Sequence, residues 1–521
     1  MDSHSANTDS LSTATLTAAT LLGFVVLQIA RKFFKPHSPL DAIPSFGIPS
    51  YPFGFYVGSW NFIKDGRAIL EQGYLKYRGQ PFKVALANRW LVLLSGQRLI
   101  EDIRKADDSL SFADSAKVML QSEYTIGYEQ LHDPFQMNVV RTALTRNIAA
   151  CFPVIREEIA AAFEDLIPAK DEWISVPAMQ TILPIVTRVS NRVFIGLLCR
   201  DPDYIKLTTQ YTLNVSSNAQ WLHVTPSFLR PLAARLFGHL EPATRAAMKH
   251  LRPILQHRIE MDDKYGPDWP EGDRPLVVGR STRTSNTANS TQADAHFAQH
   301  QLCRQPYHHT GEYPPLSTAI CRPQSPQGIL HAFYTLAANL ECVQPLREEL
   351  ESVVGAEGWT KEAMDQLVKM DSFLKESART APSGAIGLTR LATRDFTFSD
   401  GTTVPAGTLL AVPVFAEHHD EVNYTNPEVF DPFRFSRMRE QDGEENKHQM
   451  VTPTLEYMSF GLGRHACPGR FFAVNEQKLI LSHIIMTYDF KLRDGVRPPD
   501  EWIAVLVKAN TTAEVMFRKR R

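Results

Sequence analysis

Residues 460–473 read F-G-L-G-R-H-A-C-P-G-R-F-F-A, with Cys467 at the centre. A cysteinate that ligates a metal such as haem iron needs a tight, shielded loop with backbone N–H groups aimed at its sulfur. Gly463 and Gly469 permit the turns and let the backbone approach a flat cofactor closely. Pro468 removes one donor and stiffens the loop. Phe460 can shield the sulfur. A helical pattern follows Gly469, so Cys467 lies near a helix N-terminus, where negative charge is favoured. The competing reading is a buried cysteine that acts as a small apolar side chain.

Two stretches upstream bear on this one. Residues 373–379, F-L-K-E-S-A-R, place Glu376 and Arg379 three apart, on one face of a helix. On an exposed surface such a pair contributes little. Residues 430–435, F-D-P-F-R-F, carry a further arginine, Arg434.

These three stretches, in this order, resemble the cytochrome P450 monooxygenases. The family's loop is Phe-x-x-Gly-x-Arg-x-Cys-x-Gly, and Phe460, Gly463, Cys467 and Gly469 match it. His465 stands where the family's arginine contacts a haem propionate, a replacement that many fungal members share. The resemblance runs from about residue 44 to the C-terminus and implies haem as cofactor, with Cys467 as axial ligand to its iron. It further implies that Glu376, Arg379 and Arg434 form a buried structural network, the last within a Pro-x-Arg-Phe element at Pro432, Arg434 and Phe435. Arg141 and Arg390 are candidates for the propionates, expected on a helix and just before a strand, and each could equally be a surface arginine. Arg464, Arg470 and Lys478 are candidates for a basic face toward an acidic reductase, or simply exposed charges.

The N-terminus reads as a membrane anchor. Residues 16–30, LTAATLLGFVVLQIA, lie in a stretch without charge between Asp9 and Arg31. That is roughly 20 residues, just enough for a hydrocarbon core of about 30 Å. Acids (Asp2, Asp9) precede it and Arg31, Lys32 and Lys35 follow it, which keeps the C-terminal side cytosolic and is the wrong order for a signal peptide. The alternative is a buried helix of a soluble protein. The organisation expected is a tail at 1–10, an anchor at 11–31, a proline-marked linker at 32–52 and a haem-thiolate monooxygenase domain at 53–521. Sequons at Asn214, Asn289, Asn423 and Asn510 are then expected to stay bare.

The fold class expected is mainly α with small β-sheets, a P450-like fold behind a single transmembrane helix. Apolar residues recur at helical spacing over 153–166, 343–354 and 361–379. Strand-like runs cover 81–94, 396–403 and 408–415. The chain of 521 residues is 43% hydrophobic and 21% charged with a formal net charge of -2, so no basic field for nucleic acid exists. Its six cysteines include no CxxC pair, which argues against a zinc ribbon or a disulfide scaffold.

Residues 280–327 form an anomaly: proline-rich, polar, without lysine and with Asp294 and Glu312 as the acids. Such a segment cannot offset its ordering entropy by burial. Its His308-His309 pair and Cys303 are read as incidental rather than as a metal site. The family's oxygen-activating helix should precede residues 329–338, and no acid-threonine motif stands there. The segment is either a translated intron or shifted frame, or a real departure that alters the haem site.

The function expected is a membrane-bound haem-thiolate monooxygenase at the endoplasmic reticulum, its catalytic body cytosolic. It would use O2 and electrons from NADPH through a cytochrome P450 reductase to hydroxylate an apolar terpenoid, steroid-like or aromatic compound of fungal secondary or xenobiotic metabolism. The alternative is a membrane-attached haem-binding protein without turnover. Family analogy places substrate contacts at 110–124 and 211–228.

Overall fold

The computed structural model describes residues 38–51, 53–126, 140–238, 240–265 and 324–521. The tail, the expected anchor at 11–31, residues 280–323 and the sequon at Asn289 lie outside them. Among the described residues, no helix is long and apolar enough to cross a membrane.

In chain order the first half comprises α1 (Gly54–Lys76), β1 (Phe82–Leu86), β2 (Arg89–Leu93), α2 (Gln97–Lys105), β3 (Leu110–Ser111), α3 (Phe112–Leu120), α4 (Ile148–Leu166), β4 (Ile174–Pro177), α5 (Ala178–Phe194), α6 (Pro202–Val224), α7 (Arg230–Phe237) and α8 (Leu240–Tyr265). Then follow α9 (Gln324–Ala338), α10 (Val343–Glu357), α11 (Lys361–Gln366), α12 (Val368–Thr380), β5 (Gly387–Ala392), β6 (Phe396–Thr397), β7 (Thr403–Val404), β8 (Leu409–Val412), α13 (Val414–His418), α14 (Arg434–Arg439), α15 (Arg470–Thr487), β9 (Tyr488–Leu492), β10 (Glu501–Ile503), β11 (Leu506–Lys508) and β12 (Glu514–Lys519). Helices dominate and the sheets are small, as the periodicity predicts.

The main core is helical. Cys151 and Phe163 of α4, Ile185 of α5, Phe333 of α9, Leu346 of α10, Phe373 of α12 and Ile480 of α15 share one apolar cluster. A three-stranded sheet, β4-β12-β9, closes one side of it through Phe490 and Phe517. The second layer is a five-stranded sheet of order β1-β2-β8-β5-β3, parallel between β2 and β8 and antiparallel elsewhere.

Several boundaries differ from the sequence reading. The run 81–94 is a hairpin, β1 and β2, that turns at Ala87, which has a positive φ of 50°. The run 396–403 is likewise a hairpin, β6 against β7, and 408–415 is strand only as far as Val412. The pattern over 361–379 is two helices. Glu349 of α10 accepts the backbone N–H groups of Lys369 (2.7 Å) and Met370 (3.0 Å), so α12 starts on a carboxylate that another helix supplies. Residues 38–51 of the expected linker belong to the body: Ile43 is buried, and Lys83 of β1 donates its N–H to Pro44 O while Phe46 donates to Lys83 O. Prolines that leave backbone carbonyls free allow this edge pairing. The last residues of the anomaly, 324–327, are the first turn of α9.

Candidate active site

The Cys467 loop joins the turn after Phe460 to the start of α15. Gly461 and Gly463 have φ of +75° and +66°, the left-handed region that favours glycine. A Cβ on Gly463 would sit 3.0 Å from Arg104 Cγ at the end of α2. Cys467 donates its N–H to Phe460 O at 2.7 Å, which closes the loop. Gly469 has an ordinary φ of -84°, so its value is proximity rather than backbone freedom: a Cβ there would lie 4.0 Å from the Cys467 sulfur. Gly461 is the turn residue that the sequence reading missed; the G-x-G spacing was its signal. Burial pushes the Cys467 thiol up, while the N–H groups of Gly469 and Arg470 and the Arg470 charge pull it down. Phe460 is half-buried against the main core.

Cations gather beside the loop. Arg390 lies within β5, not before it, and is buried; its Nη1 donates to Thr389 O, and its Nε has no hydrogen-bond partner among the described residues. Its guanidinium stands 5.6 Å from the Phe112 ring centroid, and the His465 ring stacks obliquely on that same ring at 5.3 Å. His465 Nε2 is 3.2 Å from Asp107 Oδ1. Burial first, then the Arg390 charge, hold His465 below its usual pKa, so the neutral form is favoured. Arg141 is exposed on a π-helical turn, Val140–Leu144, rather than an α-helix, and reaches Arg464 O at 3.4 Å. Asp107 and Phe112 were not expected from the sequence; turn residues and a first helical residue carry no pattern of their own.

Glu376, Arg379 and Arg434 come together below the loop. Arg379 grips Glu376 through two bonds of 2.8 Å, and Arg434 Nε lies 3.1 and 3.2 Å from the same two oxygens. Glu376 and Arg379 are fully buried. Arg379 also donates to His418 O and Pro427 O, and Arg434 to Thr425 O, so three segments are tied to α12.

Lys478 does not belong to a basic surface. It is buried on α15, 2.8 Å from Asp371 and 2.9 Å from Met364 O. Arg470 is half-buried, bonded to Val451 O and Cys467 O. Arg464 is exposed.

The Cytochrome P450 family model matches residues 327–517, which contain all three motif stretches. The chain is 40% identical to "Cytochrome P450 monooxygenase 151" of Postia placenta over 96% of its own length and 98% of the relative's. The chain belongs to the cytochrome P450 family. It is similar as well to "Cytochrome P450 monooxygenase CYP512U6" of Ganoderma lucidum (32% identity; 92% of each chain) and to "Ent-kaurene oxidase" of Fusarium fujikuroi (31%; 88% of this chain, 84% of that one). This P450 is therefore an oxidoreductase of the monooxygenase type, and P450s use haem with a cysteine thiolate ligand and reductase-supplied electrons. Matches of this extent favour a monooxygenase over a haem-binding protein without turnover.

The P450 segments expected near substrate do meet. His223 Nε2 of α6 is 2.9 Å from Met119 O of α3. Trp221 and Phe228, within the second segment, instead face outward at 73% and 79% exposure. The helix α9 is buried along Ile329, Phe333 and Ala337, and the residues that would precede it on the oxygen side lie outside the described ones.

Proposed function

We propose that the chain is a membrane-attached haem-thiolate monooxygenase that hydroxylates an apolar terpenoid-like molecule with electrons from NADPH through a P450 reductase. The observation that carries the reading is the pairing of a glycine-turned cysteine loop with the buried Arg390 guanidinium, whose Nε has no hydrogen-bond partner among the described residues. Cys467 holds the iron as thiolate, with Phe460 beside it and Gly463 and Gly469 shaping the approach. Arg390, His465 and Arg141 take the haem propionates: the buried Nε of Arg390, without a partner among the described residues, gains an acceptor there. Haem bound there supplies the dioxygen chemistry, in which thiolate electron donation favours O–O cleavage. The protein excludes water, orients the substrate between α3 and α6, and keeps the thiolate dry at a helix N-terminus.

The terpenoid class rests on the ent-kaurene oxidase likeness. Membrane attachment rests on residues 11–31 and on exposed apolar residues, Trp221, Phe228, Leu232 and Leu236 in α6, α7 and the turn between them and Tyr56 and Trp60 in α1. The β1–β2 hairpin links the two: Trp90 meets Phe55 edge-on at 5.0 Å, and Arg89 feels the charge of Arg230. Placement at the endoplasmic reticulum follows from the same anchor.

Reduced with dithionite under carbon monoxide, the wild type should give the thiolate-type Soret band, and Cys467→Ala should lose it. Survival of that band in the variant would show a different ligand. With NADPH and reductase, a diterpene hydrocarbon should gain one oxygen atom per turnover; no product from a panel of terpenoids would defeat the substrate class.

A further inference from the structure

Helix α3 has cations at both ends. At its start, Phe112 lies 5.6 Å from the Arg390 guanidinium. Near its other end, Met119 O accepts from His223 Nε2 at 2.9 Å, which ties α3 to the last turn of α6. Phe112 and Met119 are seven residues apart on α3, about 10 Å at the rise of a helix. The end of α3 also faces β2: Val118 and Met119 pack on the cluster that buries Leu91 and Leu93, and Arg89 is the first residue of that strand. Arg230, the first residue of α7, is only 9% exposed. Its Nε donates to Thr225 O at 3.1 Å, just past the end of α6.

Two features set this cluster apart. It gathers cations without an acid. The charge of Arg230 reaches Arg89, and both arginines act on His223, while no carboxylate acts on Arg89 or His223. Burial foremost, then these like charges, hold Arg89 and His223 below their ordinary pKa values. The second feature is Arg230 Nη2, which is buried and has no hydrogen-bond partner among the described residues. An anion between the two guanidiniums offsets their repulsion and gives that N–H an acceptor. A guanidinium takes a carboxylate through parallel N–H bonds, which fixes orientation as well as adding affinity.

We propose that Arg89 and Arg230 hold the carboxylate of an acidic terpenoid-like substrate, anchoring one end of it beside Met119 while α3 leads from there to the haem edge. The proposal rests on the monooxygenase reading above. It narrows the substrate from an apolar molecule to an apolar skeleton that carries an acid. The span of α3 between its two sets of cations suits a fused-ring skeleton, so the anchored acid and the carbon to be oxidised lie at opposite ends of the molecule.

The test uses the full-length haem-loaded protein. Its ferric Soret band is titrated with a diterpene carboxylic acid, the methyl ester of that acid and the parent hydrocarbon. Wild type should bind the acid about tenfold more tightly than the ester, the worth of one charge-assisted hydrogen bond. Arg230→Gln should remove that preference and leave the ester and the hydrocarbon bound as before, and Arg89→Gln should reduce it in the same direction. Equal affinity for acid and ester in wild type overturns the proposal. So does an equal loss for all three ligands in Arg230→Gln, which marks a residue that only ties α7 to Thr225. Should Arg230→Gln fail to fold, Arg89→Gln decides alone: it must weaken the acid and spare the ester. Flotation with phosphatidylcholine vesicles, with and without phosphatidic acid, tests the other source of an anion. A preference for phosphatidic acid that Arg230→Gln removes, with acid and ester bound alike, assigns the site to a lipid headgroup and overturns the proposal. The monooxygenase reading fails separately, if wild type gives no thiolate-type spectrum or no Soret shift with any of the three ligands, and this proposal fails with it.

Discussion

At the scale of single residues, burial sets the meaning of charge. Glu376 is fully buried between two guanidiniums, so its removal leaves Arg379 unneutralised away from water and Arg434 without its carboxylate. Glu376→Ala should cost about 3–5 kcal/mol, far above the value of an exposed pair. Urea unfolding followed at the Soret band checks this; a loss under about 1 kcal/mol would mean that the network is solvated. Its neighbour Lys375 is caged between Phe435 (4.4 Å) and Tyr457 (4.5 Å), and burial pulls its pKa down to about 8. Between pH 8 and 10.5 the folded chain releases this proton while the unfolded chain keeps it, so this group's contribution to stability rises with pH. Lys375→Met should therefore gain most over wild type near pH 7, and that advantage should shrink by pH 10. Melting curves across that range read the difference directly.

At the scale of elements, close approach decides more than propensity. Helix α1 kinks at Asp65, whose φ of -127° is not helical. The Ala504 N–H, at the tip of the β10–β11 hairpin, donates to Ile63 O at 3.2 Å. Gly66 makes room for that tip, because a Cβ there would lie 2.7 Å from Ala504 O. Gly66→Ala should gain about 1 kcal/mol of helix propensity and lose about 1–3 kcal/mol to overpacking. The net expectation is a lower melting temperature, and an unchanged or raised one would show that the hairpin moves aside freely. The cysteine loop follows the same rule, since Gly463 matters for where Arg104 of α2 can lie as well as for its own φ.

At the scale of the whole molecule, an outward apolar face needs an explanation beyond folding. Trp221, Phe228, Leu232 and Leu236 are large, exposed and clustered in α6, α7 and the turn between them. Each aromatic moved from water into lipid contributes roughly 1.5–3 kcal/mol. If this face rests on the bilayer beside the anchor, brominated lipids should quench the full-length protein's tryptophan fluorescence. Trp221→Phe should then remove a large share of that quenching. Equal quenching in the variant would place Trp221 in water.

The chain's own order of residues was enough for the family, the cysteine loop, the partners of Glu376 and the helical character of the body. These are local or short-spaced patterns, because a turn needs its glycine and a haem loop its cysteine wherever the rest of the chain goes. Tertiary structure alone decided that Lys478 is buried on Asp371 rather than displayed, that residues 38–51 pair with β1, and that α12 starts on Glu349. It also brought Asp107 and Phe112 to His465 from a separate part of the chain. The physical reason is common to all of these. Burial and Coulomb energy depend on distance in space, and a carboxylate in a turn has no sequence period to announce which cation it will face.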